Sequence, residues 1–127
     1  MQNTKIVLIV GAGPTGLTAA LELARFGVPV RLIDKDNEPP TTSRALAVQS
    51  RTLELMQQRG LADEMVRIGN KGLFVTFQAD GSELGRVDLR VIDSRFNYML
   101  LLAQSETERI LRESLEQAGV RVERQQK

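Results

Sequence analysis

Apolar residues run unbroken through Ile6-Val7-Leu8-Ile9-Val10, and their β-branched character predicts a parallel strand buried on both faces. Next, Leu17, Ala20, Leu21 and Ala24 recur at helical spacing, which predicts a helix up to Phe26 with Gly27 as its stop. Val28–Ile33 reads as a second strand, with Pro29 tolerated only near its start. From Asp34 to about Val48, prolines, Asn37, Thr41, Thr42 and Ser43 predict a loop. Ser50 is placed to cap a helix running to Gln58 and closed by Gly60, and Leu61–Ile68 predicts another short helix ended by Gly69. There the period falls to two. Leu73–Phe77, a turn at Asp80-Gly81, and an extended stretch through Val87 and Leu89 predict a β-hairpin.

Asn97–Leu102 reads as a short apolar strand or buried segment. Ser105-Glu106-Thr107-Glu108 has the form of a capping box opening a helix, with Ile110, Leu111, Leu115 and Ala118 on its apolar face and Gly119 as its end. Val120–Glu123 alternates as an outer strand does, and the order of elements places it beside the second strand. The expected class is α/β, a doubly wound unit with a parallel sheet and an inserted hairpin.

At 127 residues the chain is one domain by length, with enough apolar residues for a core. Seventeen basic and 16 acidic residues nearly balance, and no basic block argues for a nucleic-acid partner. There is no cysteine and no histidine, which removes disulfides, thiolate chemistry and the commonest metal ligand and general base. No metal site is expected. The run at 5–10 is too short to span a membrane and lacks the flanks of a signal peptide, so the expected location is the cytoplasm.

The chemistry concentrates in Gly11-Ala12-Gly13-Pro14-Thr15-Gly16. Glycines also mark ordinary turns, but here a buried strand leads in, a helix starts inside the motif, and the next strand ends at an acid, Asp34. Gly11 suits the tight turn, Gly13 a close approach of backbone to a diphosphate, and Gly16 close packing of helix on strand. Pro14 fits the first helical turn, whose N–H groups and dipole favour phosphate. Asp34 suits the ribose hydroxyls and repels a 2′-phosphate, so NADP is disfavoured at this turn. This βαβ unit alone leaves FAD and NAD both open.

Other segments bear on the choice. Ser43-Arg44-Ala45-Leu46-Ala47-Val48-Gln49-Ser50-Arg51-Thr52-Leu53-Glu54 resembles the "SRA…RTLE" segment of the para-hydroxybenzoate hydroxylase family of FAD monooxygenases. Leu102–Leu111 resembles that family's "Q…E..L" helix start, and Val10–Leu17 its glycine segment. The likeness runs in register from Lys5 to about Glu123. It implies a Rossmann-like core at 1–71 and 101–127, with 72–100 as an inserted hairpin bordering the substrate region. It also implies FAD as cofactor, with Gly11, Gly13, Pro14, Thr15 and Gly16 at the diphosphate and Asp34 and Lys35 at the adenosine end. Arg44 would serve the phosphates and Gln104 the ribityl chain. NADPH or NADH would reduce the flavin, which with oxygen would hydroxylate a small aromatic substrate. Catalytic residues are not assigned.

The family pattern extends well beyond this length. Its later Asp-Gly and Gly-Asp-Ala segments are expected after Glu123, and no Gly-Asp pair occurs anywhere in the chain. The chain resembles the N-terminal third of such a hydroxylase, and this resemblance implies that it is not competent for catalysis by itself. The strand at 5–10 would then have an open edge, which predicts self-association, a completing partner chain or low stability. A non-catalytic dinucleotide-binding module, or a subunit completed in trans, is the alternative, with an NAD-dependent dehydrogenase third. Arg51 is expected to pair with Glu54 on a helix face.

Overall fold

The computed structural model of the chain describes residues 5–39 and 47–126. They form two compact units, Met1–Ser43 with Gln104–Lys127, and Arg44–Ala103.

The first unit holds β1 (Val7–Val10), α1 (Pro14–Arg25), β2 (Val30–Ile33), α4 (Gln104–Gln117) and β8 (Val122–Glu123). Its parallel sheet has the order β1-β2-β8, with Val7 opposite Val30 and Leu32 opposite Val122. The late strand therefore lies beside the second one, as the order of elements predicted. Leu17, Ala20 and Leu21 form the buried face of α1, and Ile110, Leu111 and Leu115 that of α4. These two helices pack against each other, and Leu32 of β2 is fully buried in the same unit. Burying each such leucine is worth about 1.5–3 kcal/mol.

Helix α1 ends as the Gly27 signal predicted. Gly27 has φ +70°, its N–H donates to Ala24, and the Val28 N–H donates to Leu23, the paired bonds of a Schellman closure. Gly119 and Val120 close α4 in the same way onto Glu116 and Leu115. By contrast, β1 stands at the edge of its sheet. Ile6, Leu8 and Val10 are 56%, 54% and 76% exposed, Val7 on the other face is exposed too and Ile9 half-buried, so the strand predicted to be buried on both faces is fully buried on neither.

The second unit contains β3 (Ala47–Val48), α2 (Ser50–Gln57), α3 (Ala62–Ile68), β4 (Asn70–Gly72), β5 (Phe74–Ala79), β6 (Ser82–Asp88), a 3-10 turn (Leu89–Val91) and β7 (Met99–Leu101). Strands β5 and β6 make the expected hairpin. Asp80 and Gly81 have φ of 49° and 77° at its turn, the left-handed pair that a two-residue hairpin loop needs. Strand β7 is the centre of an antiparallel sheet ordered β3-β7-β4. Leu53, Met56, Met65, Phe96 and Leu100 supply this unit's core, and Phe96 meets Tyr98 edge to face.

Three local expectations are corrected. Ala47–Val48, read as loop, pairs with β7 because that apolar strand has two edges to satisfy. Ser50 is the first residue of α2 and Gln49 its cap, with no side-chain capping bond. Ser105 does not cap α4 either: the helix starts at Gln104, and the Gln104 side chain bonds Glu108. Residues 47–71 fall in the unit of the hairpin, because β3 and β4 are hydrogen-bonded to β7 on either side. Among the described residues, no helix is long and apolar enough to cross a membrane.

Candidate functional site

The βαβ corner of the first unit assembles most of the expected positions. Strand β1 ends at Val10, and Gly11 turns the chain with φ +101°, a value that favours glycine. Its N–H donates to the Ile33 carbonyl at 2.8 Å, so the turn is stitched to the end of β2. Gly13 caps α1 through its backbone with no side-chain bond, and Pro14 is the first helical residue. Gly16 lies two residues further in. A Cβ there would sit 1.9 Å from the Gly11 carbonyl oxygen, so only glycine lets the helix come this close to the turn.

Strand β2 delivers Asp34 to the same corner. Its Oδ2 accepts from the Ala12 N–H at 2.6 Å and its Oδ1 from the Asp36 N–H at 2.8 Å. The acid expected at the ribose thus also braces the glycine turn. Burial pushes the Asp34 carboxyl up, but the two backbone donors, with Arg124 and Lys35 nearby, outweigh it and hold it below its usual range. Lys35 follows on the exposed surface, and Thr15 is exposed on the first turn of α1.

The corner suits an anion. The first turn of a helix has N–H groups without helical acceptors, and no acidic side chain occupies the first turn of α1. No heavy atom outside the immediate chain neighbours lies within 4 Å of where a Cβ of Gly13 would stand, which leaves that backbone open to approach. These features fit a dinucleotide pyrophosphate, with Asp34 beside it for a ribose.

Gln104 stands apart, as the first residue of α4, where its Nε2 donates to Glu108 Oε1 at 2.8 Å. Arg44 lies outside the described residues. Arg51 pairs with Glu54 at 3.0 Å as expected, and Glu54 also accepts from Ser94 Oγ at 2.8 Å. Sequence reasoning missed Arg124, whose guanidinium lies 3.9 Å from Asp34. The segment carrying it is tied in by Asp34 N–H to Glu123 and Gln126 N–H to Asp34. No local signal marks Arg124, because only strand pairing brings it to Asp34.

Residues 4–127 match the model of the FAD binding domain family. The chain belongs to that family. Among curated proteins, this FAD-binding domain is 48% identical over 119 residues to the 6-methylpretetramide 4-monooxygenase of Streptomyces rimosus, covering 92% of the chain and 21% of that protein. It is 42% identical to the rifampicin monooxygenase of Rhodococcus hoagii, covering 93% of the chain and 24% of the relative. The anhydrotetracycline hydroxylase structure from Streptomyces rimosus superposes with a TM-score of 0.81 at 34% identity, over 94% of this chain and 24% of that one. The domain thus spans between a fifth and a quarter of the curated relatives' length. The family cofactor is FAD, which the site's chemistry fits, and the named relatives are monooxygenases.

Proposed function

We propose that this FAD-binding domain holds the adenosine diphosphate half of FAD within a flavin-dependent, NAD(P)H-using monooxygenase. The observation that carries the proposal is the 2.6 Å bond from Ala12 N–H to Asp34. It joins the acid that suits a ribose to the turn that suits a pyrophosphate. The N–H groups of the first turn of α1, at Thr15 and Gly16, would hold the phosphates, and Gly13 would admit them closely. Asp34 keeps lone pairs for ribose hydroxyls beyond its two backbone bonds, and Lys35 adds positive charge at that end. Arg44 would add a bidentate contact to the phosphates and Gln104 a hydrogen bond to the ribityl chain. When bound, the flavin supplies the electron transfer and oxygen chemistry, and the chain binds and orients it.

The curated relatives are named for action on 6-methylpretetramide, rifampicin and pentachlorophenol. An aromatic-type small molecule is accordingly the proposed substrate of the whole protein. The proposed location is the cytoplasm, where the nicotinamide reductant is supplied. The partition into a core of 1–71 and 101–127 with an inserted hairpin at 72–100 belongs to the same proposal, as a description of how the segments serve the cofactor.

A second reading has its own support. The apolar, open edge of β1 favours a module completed by another chain or by a second copy. Size-exclusion chromatography of the purified chain separates the cases: a concentration-dependent shift to larger species is expected, and a monomer throughout would oppose it. For the cofactor, the chain is titrated with FAD by flavin fluorescence, with ADP and NAD as competitors. Saturable FAD binding displaced by ADP is expected. Micromolar NAD binding without FAD binding would overturn the flavin proposal.

A further inference from the structure

The parallel sheet of the first unit runs in the order β1-β2-β8, so its three strands end at the same edge. β1 leads into the glycine turn, β2 ends at Asp34, and β8 is followed at once by Arg124. Hydrogen-bonded strands lie about 5 Å apart, so these groups form a row with Asp34 in the middle. The last member is fixed in place. Asp34 N–H donates to the Glu123 carbonyl at 2.9 Å, and Gln126 N–H donates to the Asp34 carbonyl at 3.0 Å. Between those bonds Gln125 adopts φ +58°, a left-handed value that a residue other than glycine keeps only when its surroundings hold it.

The Arg124 side chain is only 19% exposed, and its Nη1 lies 3.9 Å from Asp34 Oδ1, close enough for an ion pair and too far for a hydrogen bond. Among the described residues no acceptor takes a hydrogen bond from this guanidinium. Its five N–H donors and its flat face are therefore unspent. Asp34 neutralises the charge, so the pair offers little to a second anion. A guanidinium plane suits a neutral aromatic ring that carries acceptor atoms.

We infer that Arg124 recognises the base of the bound nucleotide, stacking its guanidinium on the adenine ring, and so sets a preference for adenine over smaller bases. The inference rests on the proposed places of the pyrophosphate at the glycine turn and of the ribose at Asp34. The order diphosphate, ribose, base then follows the order of the strands. A base joined directly to that ribose falls on the side of Asp34 away from the glycine turn, where Arg124 stands.

The test measures ADP and UDP binding to the intact chain by calorimetry for wild type, Arg124→Ala and Arg124→Lys, each checked by thermal melting. The two ligands share ribose and diphosphate and differ only in the base. Wild type is expected to prefer ADP. Arg124→Ala should weaken ADP about five- to thirtyfold and UDP by less than about threefold. Arg124→Lys keeps the charge without the plane and should not restore the preference. No preference in wild type, equal losses for ADP and UDP, or a preference restored by lysine would each overturn the inference, since Arg124 would then act on the ribose, on the fold or by charge alone. Wild-type NMR adds a readout that needs no variant. With ADP bound, nuclear Overhauser contacts are expected between the adenine protons and the Arg124 side chain. Amide shifts at the glycine turn without those contacts would overturn the inference and spare the pyrophosphate's place. No binding of ADP or FAD by wild type would overturn both.

Discussion

Replacing Gly16 with alanine adds one methyl group at the tightest contact of the glycine turn. The new Cβ would lie 1.9 Å from the Gly11 carbonyl oxygen and 3.1 Å from its carbon, whereas real Cβ atoms essentially never come within 3.0 Å of such a neighbour. The obstacle is backbone held by the Gly11 N–H bond to Ile33, so the turn or the helix must move by about 1 Å. Overpacking of this kind costs about 1–3 kcal/mol, and here its upper end applies because no flexible side chain can yield. Alanine returns up to about 1 kcal/mol of helix propensity. The net loss is about 2 kcal/mol, roughly 6–10 °C in melting temperature for a chain of this size. FAD affinity falls with it, because the shift displaces the donors of the first helical turn.

Gly13→Ala is the matched control. Its Cβ meets nothing within 4 Å and its backbone is already extended at φ −77°, so stability should stay within about 1 kcal/mol of wild type. Its effect should appear only with ligand, as a methyl group where the pyrophosphate approaches, weakening FAD about 5- to 150-fold. Calorimetry and differential scanning measure both quantities on the same preparations. Gly16→Ala melting at or above wild type would refute the close contact. Gly13→Ala binding FAD as wild type does would refute the pyrophosphate's place.

Three further outcomes follow from other parts of the molecule. Asp34 is held below its usual carboxylate range, so its bonds add stability that is complete above about pH 4 and is lost as pH falls through the lower folded value. Asp34→Asn should therefore melt below wild type at neutral pH, with the gap closing in acid; a gap independent of pH would contradict this. Phe96→Ala empties a core site only 1% exposed and should cost about 3–5 kcal/mol in a denaturant titration, while a loss under about 1 kcal/mol would show a collapsible site. If the proposed self-association uses the β1 edge, Leu8→Lys, a charge on a residue 54% exposed, should abolish it in sedimentation; a monomeric wild type or association unchanged in the variant would refute the proposed edge pairing.

The parts of the fold that the sequence disclosed are those written within one window of the chain. The apolar run before Gly11, the spacing of Leu17, Ala20 and Leu21, and the Gly27 stop each act over a few residues, and together they place the turn and Asp34. The Asp80-Gly81 hairpin was readable for the same reason, since its pairing is local. What escaped depends on pairing across distance. Ala47–Val48 becomes a strand only because Leu100–Leu101 lies beside it. Arg124 reaches Asp34 only once β8 is paired to β2. The capping box at Ser105 misled because Gln104 competes for Glu108 and the helix starts two residues earlier than that cap implies. At the glycine turn, the positions of the glycines and of Asp34 at the strand end were readable while the bracing of Ala12 by Asp34 was not, because sequence spacing shows an acid at the strand end without showing what its oxygens accept.

The proposed place of FAD's pyrophosphate is the turn from Gly11 to Gly16, with Asp34 beside it. Titrating the isotope-labelled chain with FAD and following backbone amide resonances tests this most directly. The largest shifts are expected on the amides of Gly13, Thr15 and Gly16, accompanied by Ala12 and Asp36, whose N–H groups are bonded to the Asp34 carboxylate. Saturable FAD binding that leaves those amides unmoved and shifts resonances elsewhere would contradict it.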